Sequence, residues 1–272
     1  MLLITGVSGG LGGLVAGHAE GRDDVLLGTR SPDGRPAARR VDFDDPASLP
    51  GAFAGVDTLL LVSAGYGEDD VVTARHGAAI DAAERAGVRH IVYTSLSGDG
   101  DHLPYALPHR WTERRLRAST AAWTVLRNGL YAELLAALAA PDADGRITAP
   151  LGGGALAAVA RADLAEAAFR VAVDPAPHTG RVYELVGEVP LGGADLAAAV
   201  SGTYEPGDGL AAARAAVAAS GAAPFQVPML TGTYSAIAHG FLDGTGVPRG
   251  HLRGLLGREP RPAVDVYARA VG

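Results

Sequence analysis

The sequence predicts an α/β fold in which a doubly wound parallel sheet is joined to a small, mostly helical C-terminal lobe. Short apolar runs alternate with stretches of helical periodicity as far as Tyr131, the pattern of a parallel sheet with helices on both faces. Beyond Tyr131 the pattern loosens into helices broken by glycine and proline. We therefore expect a nucleotide-binding core over residues 1–145 and a substrate lobe over residues 146–272.

A glycine-rich turn joins the first predicted strand to the first predicted helix. The apolar run Met1–Thr5 leads into Gly6–Gly12, with glycine at positions 6, 9 and 12. In a dinucleotide-binding turn, glycine permits the tight turn, the close approach of the pyrophosphate and the packing of helix on strand. The N-terminus of the following helix offers free N–H groups to a phosphate. The turn predicts a Rossmann-type nucleotide site.

The end of the second predicted strand, Val25–Arg30, indicates which dinucleotide is bound. An NAD site places an acidic residue there to hold the ribose hydroxyls, whereas a 2′-phosphate favours an arginine. Arg30 occupies this place, and the neighbouring Gly28, Thr29 and Ser31 carry no acid. A guanidinium binds phosphate through paired, charge-assisted hydrogen bonds. Arg30 therefore predicts NADPH, while the loop residues Arg35, Arg39 and Arg40 are interpreted as solvated.

The other strands and helices follow in alternation. Strands are predicted at 40–43, 56–63, 88–95, 123–127 and 181–186, and helices from Asp45 and over 71–86, 108–119 and 162–173. In doubly wound sheets, ligands bind beyond the carboxyl ends of the strands. The substrate pocket is therefore expected between those strand ends and the C-terminal lobe.

Composition excludes several classes of function. The net charge of −7 argues against a nucleic-acid-binding protein, and the absence of cysteine excludes disulfides and thiolate chemistry. The chain also contains no lysine, which removes Schiff-base catalysis. No apolar run approaches the length of a membrane span, and no basic segment precedes the first strand. We expect a cytoplasmic protein without a membrane partner; its oligomeric state is not readable, and a homodimer remains open.

Seven stretches, in matching order and spacing over about residues 1–190, resemble the NmrA-like, atypical short-chain dehydrogenase family. They are Thr5–Gly12 (TGVSGGLG), Asp42–Ser48 (DFDDPAS), Gly55–Ser63 (GVDTLLLVS), Ala82–Ser95 (AAERAGVRHIVYTS), His109–Leu116 (HRWTERRL), Leu126–Tyr131 (LRNGLY) and Ala160–Ala168 (ARADLAEAA). The NADPH-dependent quinone oxidoreductases of this family are the most similar group. The resemblance implies a Rossmann domain, NADPH without flavin, and reduction of quinones or other conjugated acceptors. The segments 139–154 and 201–224 depart from the family pattern. The identity of the substrate is therefore the property that can least be transferred from the family to this chain.

The resemblance also implies roles for particular residues. The residues expected to line the pyrophosphate are Gly6, Ser8, Gly9, Gly10 and Leu11. Asp42 and Phe43 are expected to flank the adenine. The residues expected near the nicotinamide and its ribose are Val62, Ser63, Ala64, Thr94 and Ser95. His109 matches a histidine that the family often has in contact with the cofactor.

Candidate catalytic residues follow the fifth strand. Ordinary short-chain dehydrogenases use a tyrosine with a lysine four residues later, and here Tyr105 and His109 have that spacing. A positioned phenol is a legitimate general acid, although Pro108 argues against one helical turn carrying both residues. Asn128 and Tyr131 follow the sixth strand on the binding side, where Tyr131 could stack on an aromatic substrate. The loop residues Asp99, Asp101 and His102 are of metal-ligand types but are interpreted as solvated, so no metal is expected.

Three functions remain open at this level. The first is an NADPH-dependent reductase of a quinone or related conjugated carbonyl, with the proton supplied by solvent, Tyr105 or His109. The second is a reductase or dehydrogenase that tailors an aromatic natural product at the same cofactor site. The third is a regulatory protein that senses NADP(H) without turnover. Tyr105, His109, Asn128 and Tyr131 could form a polar pocket floor, which favours an enzyme.

Overall fold

The structure, a computed structural model, describes residues 1–32, 34, 37–98 and 103–272. Arg35, Asp99, Asp101 and His102, discussed above, lie outside the described residues. The strands are β1 Leu2–Ile4, β2 Val25–Thr29, β3 Ala38–Arg40, β4 Thr58–Leu61, β5 His90–Leu96, β6 Ala122–Asn128, β7 Arg146–Thr148, β8 Ala155–Leu156, β9 Val182–Leu185, β10 Leu191–Gly192 and β11 Thr203–Glu205. The helices are α1 Gly10–Gly17, α2 Leu49–Phe53, α3 Asp69–Arg85, α4 Leu107–Arg117, α5 Ala132–Leu138, α6 Arg161–Val173, α7 Gly193–Ala199, α8 Leu210–Ala219, α9 Gln226–Ala238, α10 His251–Leu256 and α11 Ala263–Val271.

Within the described residues, seven parallel strands form the central sheet in the order β3-β2-β1-β4-β5-β6-β9. The chain moves outward from β1 to β3, then returns beside β1 with β4 and continues in the other direction. This reversal is the topological switch point at which doubly wound sheets bind their ligands. The predicted α/β fold with a parallel sheet is confirmed.

The two faces of the sheet are packed by different helices, as alternation along each strand requires. Ile4, Leu60 and Val92 face a core that includes residues of α1 and α6. Leu3, Leu59 and Tyr93 face the opposite core, which includes residues of α2, α3 and α4. All six side chains are buried, and the central strands therefore read as nearly continuous apolar runs.

The C-terminal part of the chain both extends the sheet and builds a lobe of its own. β9 pairs with β6 at the edge of the central sheet. The lobe has two small sheets, β8 with β10 and β7 with β11, and a separate apolar core. In that core the hydroxyls of Tyr234 and Tyr267 donate to the carbonyls of Leu138 and Ala139. The boundary at residue 145 remains a prediction, because β9 joins the sheet of the first part.

Most predicted elements lie within a few residues of the observed ones, but the third strand was placed too late. It was predicted at 40–43, whereas β3 covers Ala38–Arg40. Arg39 and Arg40 are polar, yet β3 is an edge strand whose side chains reach the surface of the sheet. The Arg39 guanidinium donates to the carbonyls of Ala52 and Ala54, which fixes this edge against α2 and the residue that follows it.

No helix in the described part of the chain is long and apolar enough to cross a membrane.

Two alanine substitutions in α1 should have opposite effects on the free energy of unfolding. A Cβ on Gly12 would lie 2.2 Å from the Gly6 carbonyl oxygen, whereas a Cβ on Gly17 would meet nothing within 4 Å. Gly12→Ala is expected to lower the free energy of unfolding by about 1–3 kcal/mol because the helix must move off the strand. Gly17→Ala is expected to raise it by up to about 1 kcal/mol, because alanine favours helix.

Urea unfolding of both variants measures these changes directly. Gly17→Ala is the matched control, since it adds the same methyl group to the same helix. Equal destabilisation by both substitutions would contradict the close contact between the glycine turn and α1.

Candidate functional site

The glycine-rich turn has the geometry that a bound pyrophosphate requires. Gly6 has φ +68°, a conformation that side chains disfavour, and its carbonyl accepts the Gly9 N–H at 2.9 Å. Gly9 caps α1 without a side-chain hydrogen bond, so the first N–H groups of that helix remain available to a ligand. Ser8, Gly9 and Gly10 are exposed on this turn, and Leu11 is buried beneath it. These residues lie together as the sequence predicts.

The segment that follows β4 is held by three side chains, each from a different element. Val62, Ser63 and Ala64 each donate a backbone N–H to one of them. The acceptors are Thr5 Oγ1 at 3.0 Å after β1, Thr94 Oγ1 at 2.9 Å in β5, and His76 Nε2 at 3.0 Å in α3. Three consecutive residues at the switch point are thus fixed before any ligand binds. We call Val62–Ala64 the clamped segment.

His76, which the sequence analysis missed, is fully buried and has a defined tautomer. The Thr112 hydroxyl donates to the Pro108 carbonyl at 2.7 Å, so at 2.8 Å from His76 it accepts the Nδ1–H. Nε2 is therefore free to accept the Ala64 N–H. Burial, with smaller contributions from His109 and Arg75, lowers the pKa of His76 to about 3. The imidazole is neutral at physiological pH, as its two hydrogen bonds require.

His109 lies beside the buried Tyr93 at the start of α4. Its Nδ1 is 2.8 Å from the Tyr93 hydroxyl, and Tyr93 also packs edge-on against His76, with the ring centroids 5.4 Å apart. Burial, reinforced by the charge of Arg110, lowers the pKa of His109 to about 4. Burial raises the pKa of Tyr93 above its ordinary value. Both groups are therefore neutral at pH 7.

Thr94 and Ser95 lie on opposite faces of β5, so they cannot share one role. Thr94 accepts the Ser63 N–H, whereas the Ser95 hydroxyl donates to Glu113 at 2.7 Å. Glu113 is 1% exposed and is bound by Arg127 through both carboxylate oxygens, at 2.9 and 2.8 Å. Burial opposes its ionisation, but hydrogen bonds from Arg127 and Ser95 keep the pKa of Glu113 below its ordinary value. Ser95 belongs to this ionic cluster, and its expected contact with the cofactor stays a prediction.

The ionic cluster continues across the carboxyl ends of three strands. Arg127 of β6 also binds Glu184 of β9 at 2.8 Å, and Glu184 accepts the Gly98 N–H at 2.9 Å. Arg110 donates to the Gly98 carbonyl at 2.8 Å and to Glu113. These contacts fix the chain that leaves β5 against the neighbouring strands. Sequence reasoning missed the cluster because its members are far apart along the chain.

Tyr105 lies before α4 and His109 lies within it, so the two residues do not share one turn of helix. The Thr233 hydroxyl donates to the Met229 carbonyl at 2.9 Å, which leaves the Tyr105 hydroxyl to donate to Thr233 at 3.0 Å. Burial raises the pKa of Tyr105 to about 12. Tyr105 therefore connects the core to α9 of the C-terminal lobe.

Asn128 and Tyr131 lie at the carboxyl end of β6, as expected. Asn128 is 6% exposed, and its Oδ1 has no hydrogen-bond partner among the described residues. Such a buried acceptor costs free energy unless a ligand supplies a donor. The ring of Tyr131 lies under the guanidinium of Arg161, with 4.7 Å between Cζ and the ring centroid.

The residues expected around the adenosine lie beyond β2 and β3. Arg30 is exposed, and no hydrogen bond or ion pair to it occurs within the described ranges. The nearby Asp44 is bound by Arg75 at 2.7 and 2.9 Å, and its pKa is held low by these bonds and, to a smaller extent, by Arg30. Asp42 pairs with Arg40, and Phe43 packs at the edge of the core. Among the described residues of this region, Arg30 is an exposed cation without an ion pair, which fits the prediction of a 2′-phosphate site.

These features fit a dinucleotide. The exposed glycine turn offers N–H groups for the pyrophosphate, and Arg30 offers a cation at the adenosine end. The unpaired Asn128 Oδ1 offers an acceptor for the carboxamide of a nicotinamide. The individual contacts remain predictions.

Comparisons with known proteins agree with this fit. Residues 6–175 match the profile of the NAD(P)H-binding family. Quinone oxidoreductase 2 of Escherichia coli is 41% identical over 152 residues, 55% of this chain and 52% of the relative. An NmrA-like family domain-containing oxidoreductase of Aspergillus flavus is 31% identical over 147 residues, 48% of each protein. The matched part of the chain spans about half the length of these curated relatives.

Solved structures match over the whole chain. The NADPH-dependent quinone oxidoreductase of E. coli, crystallised with NADPH, has a TM-score of 0.87 at 30% identity and covers 100% of both chains. The triphenylmethane reductase of Citrobacter sp., crystallised with NADP(H), has a TM-score of 0.87 at 27% identity and covers 99% of both chains. The predicted resemblance to NmrA-like reductases and the Rossmann-type fold are confirmed. The chain belongs to the NAD(P)H-binding family.

Proposed function

We propose that the protein is an NADPH-dependent reductase that transfers a hydride directly to a quinone or related conjugated carbonyl. The observation that carries this proposal is the continuity between the clamped segment and a cavity. The loop that begins at Val62 runs on to Gly67 and Glu68, which line a cavity of about 490 Å³. An acceptor in this cavity would lie at the far end of the loop that is proposed to hold the nicotinamide ribose.

The cavity lining suits a flat, apolar acceptor. Its walls include Pro104, Tyr105, Phe225 and Met229, and Phe225 packs edge-on against Tyr66 with the centroids 4.9 Å apart. Aromatic and thioether groups of this kind pack well against a conjugated ring. Glu68, Asp69 and Asp70 also line the cavity. These carboxylates disfavour an anionic acceptor.

The chain's own residues orient the reactants and manage the proton. A bound nicotinamide supplies the hydride. In this proposal, Asn128 Oδ1 would accept from the carboxamide, and the clamped segment would position the ribose. The acceptor oxygen then takes up a proton, which we assign to solvent in preference to His109 or Tyr105. His109 is neutral at pH 7, and a neutral imidazole is a weaker acid than a phenol. The Tyr105 hydroxyl already donates to Thr233, and its pKa of about 12 makes it a weak acid.

The dinucleotide is proposed to be NADPH, because Arg30 occupies the place of the acid that holds the ribose in NAD sites. The two structural relatives at 30% and 27% identity carry NADPH and NADP(H). Their described substrates differ, a quinone in one and triphenylmethane dyes in the other. Both substrate classes are conjugated electron acceptors.

Nicotinamide absorbance, followed with a panel of acceptors, tests the proposal. We expect NADPH oxidation with neutral quinones, slower oxidation with a sulfonated analogue of the same quinone, and little turnover with NADH. The sulfonate is the matched control because it changes the charge of the acceptor and keeps its ring. Binding of NADPH without turnover on any quinone or conjugated ketone would contradict the reductase and favour a sensor of NADP(H).

Arg30→Ala should weaken NADPH binding selectively. Loss of a bidentate, charge-assisted contact costs about 1.5–3 kcal/mol, or roughly 10- to 100-fold in Kd, while NADH binding should change little. Fluorescence titration with both nucleotides measures the ratio. Arg22→Ala is the control, because Arg22 precedes the opposite end of β2 and pairs with Asp24. Equal losses for NADPH and NADH would contradict the assignment of the 2′-phosphate.

Turnover should not depend on a histidine that titrates near neutral pH. Because the pKa of His109 is lowered to about 4, the imidazole has already lost its charge at pH 5.5. As the pH is raised, we expect that kcat does not fall in a titration with a midpoint between pH 6 and 7. A loss in that range that is abolished by His109→Gln would show that a cationic His109 donates the proton, contrary to this account.

A further inference from the structure

Arg161, the first residue of α6, extends its side chain to the glycine-rich turn. A Cβ built on Gly10 would lie 2.7 Å from Arg161 Nη1 and 3.4 Å from Cζ. Gly10 is the first residue of α1, so the guanidinium lies at the N-terminus of that helix. The sequence separation is about half the chain, and only the fold brings the two residues together.

The electrostatics of this contact are unfavourable in the protein alone. The N-terminus of a helix carries a partial positive charge, and cations near it are destabilising. In the described part of the chain, Arg161 has no ion pair and its buried Nε has no hydrogen-bond partner. A guanidinium, a helix N-terminus and an unsatisfied buried donor together favour the binding of an anion.

The side chain is nevertheless held in place by its surroundings. The guanidinium lies over the ring of Tyr131, with Cζ 4.7 Å from the centroid, a cation–π geometry. The Arg161 N–H donates to both carboxylate oxygens of Glu133 at 3.3 Å. Two backbone hydrogen bonds also join the chain around Tyr131 to the chain that precedes α6. The Ala132 N–H donates to the Val159 carbonyl, and the Val159 N–H donates to the Leu130 carbonyl. Glu133 therefore caps α6 with its carboxylate and fixes the backbone of Arg161.

We propose that Arg161 binds the pyrophosphate of the dinucleotide together with the glycine turn. Because the guanidinium lies against Gly10, a phosphate that accepts from the N–H groups of α1 would also lie within reach of the Nη groups of Arg161. Tyr131 is then the platform that orients the arginine, and not the substrate contact expected from the sequence. This inference rests on membership of the NAD(P)H-binding family and is independent of the proposed reductase activity.

Binding measurements with three ligands test the assignment without any turnover. NADPH, NADP⁺ and 2′-phospho-ADP-ribose all contain the pyrophosphate, and the last lacks the nicotinamide. Arg161→Ala is expected to weaken all three by a similar factor, roughly 10- to 100-fold, because hydrogen bonds to a charged group are lost. The charge-retaining Arg161→Lys should lose less affinity. An ammonium keeps the electrostatic attraction to phosphate but cannot form the paired hydrogen bonds of a guanidinium.

Arg170→Ala is the matched control on the same helix. Arg170 is half exposed and pairs with Glu166 at 2.9 Å, so its removal should leave all three affinities unchanged. Unchanged affinities in Arg161→Ala would overturn the proposal. A loss for NADPH and NADP⁺ with unchanged 2′-phospho-ADP-ribose binding would also overturn it, because Arg161 would then contact the nicotinamide half. Urea unfolding of Arg161→Ala and Arg161→Lys separates lost binding from lost folding.

Discussion

The clamped segment, Val62–Ala64, is the constraint on which the site depends. Three consecutive N–H groups at the switch point are each bound by a side chain from another element: Thr5, Thr94 and His76. The segment leaves β4 beside β1 and begins the loop that runs to Gly67 and Glu68, which line the cavity. Ordering this loop in advance means that a ligand does not have to supply the free energy of ordering on binding.

The two polar residues Thr94 and Ser95 of β5 bind different partners because they lie on opposite faces of the strand. On one face of β5, Thr94 holds Ser63 of the clamped segment, whereas on the other face Ser95 binds Glu113. The ionic cluster around Glu113 is buried and paired through Arg127 and Glu184, so it fixes the strand ends against one another. A buried network of this kind is costly to break, because removal of one partner leaves a charge uncompensated.

The sequence predicted the parts of the site whose chemistry is local. The glycine turn after β1, Arg30 after β2 and Asn128 at the end of β6 lie where the alternating pattern placed them, because each lies at the carboxyl end of a strand. The sequence prediction placed the third strand at 40–43, later than the observed β3, because the polar Arg39 and Arg40 are not typical of a buried strand. His76 carries no signal in an alanine-rich helix, and its role appears only when α3 packs against β4. Arg161 lies about 150 residues beyond Gly10, and no local pattern connects them.

Amide hydrogen exchange of the clamped segment tests the central claim most directly. Residue-resolved exchange would be followed for Val62, Ser63 and Ala64 in protein freed of dinucleotide. The account predicts protection comparable to that of the β4 amides, since all three N–H groups are already bonded to side chains. Rapid exchange in the free protein, with protection appearing only after NADPH is added, would show that the cofactor orders the segment and would contradict the account.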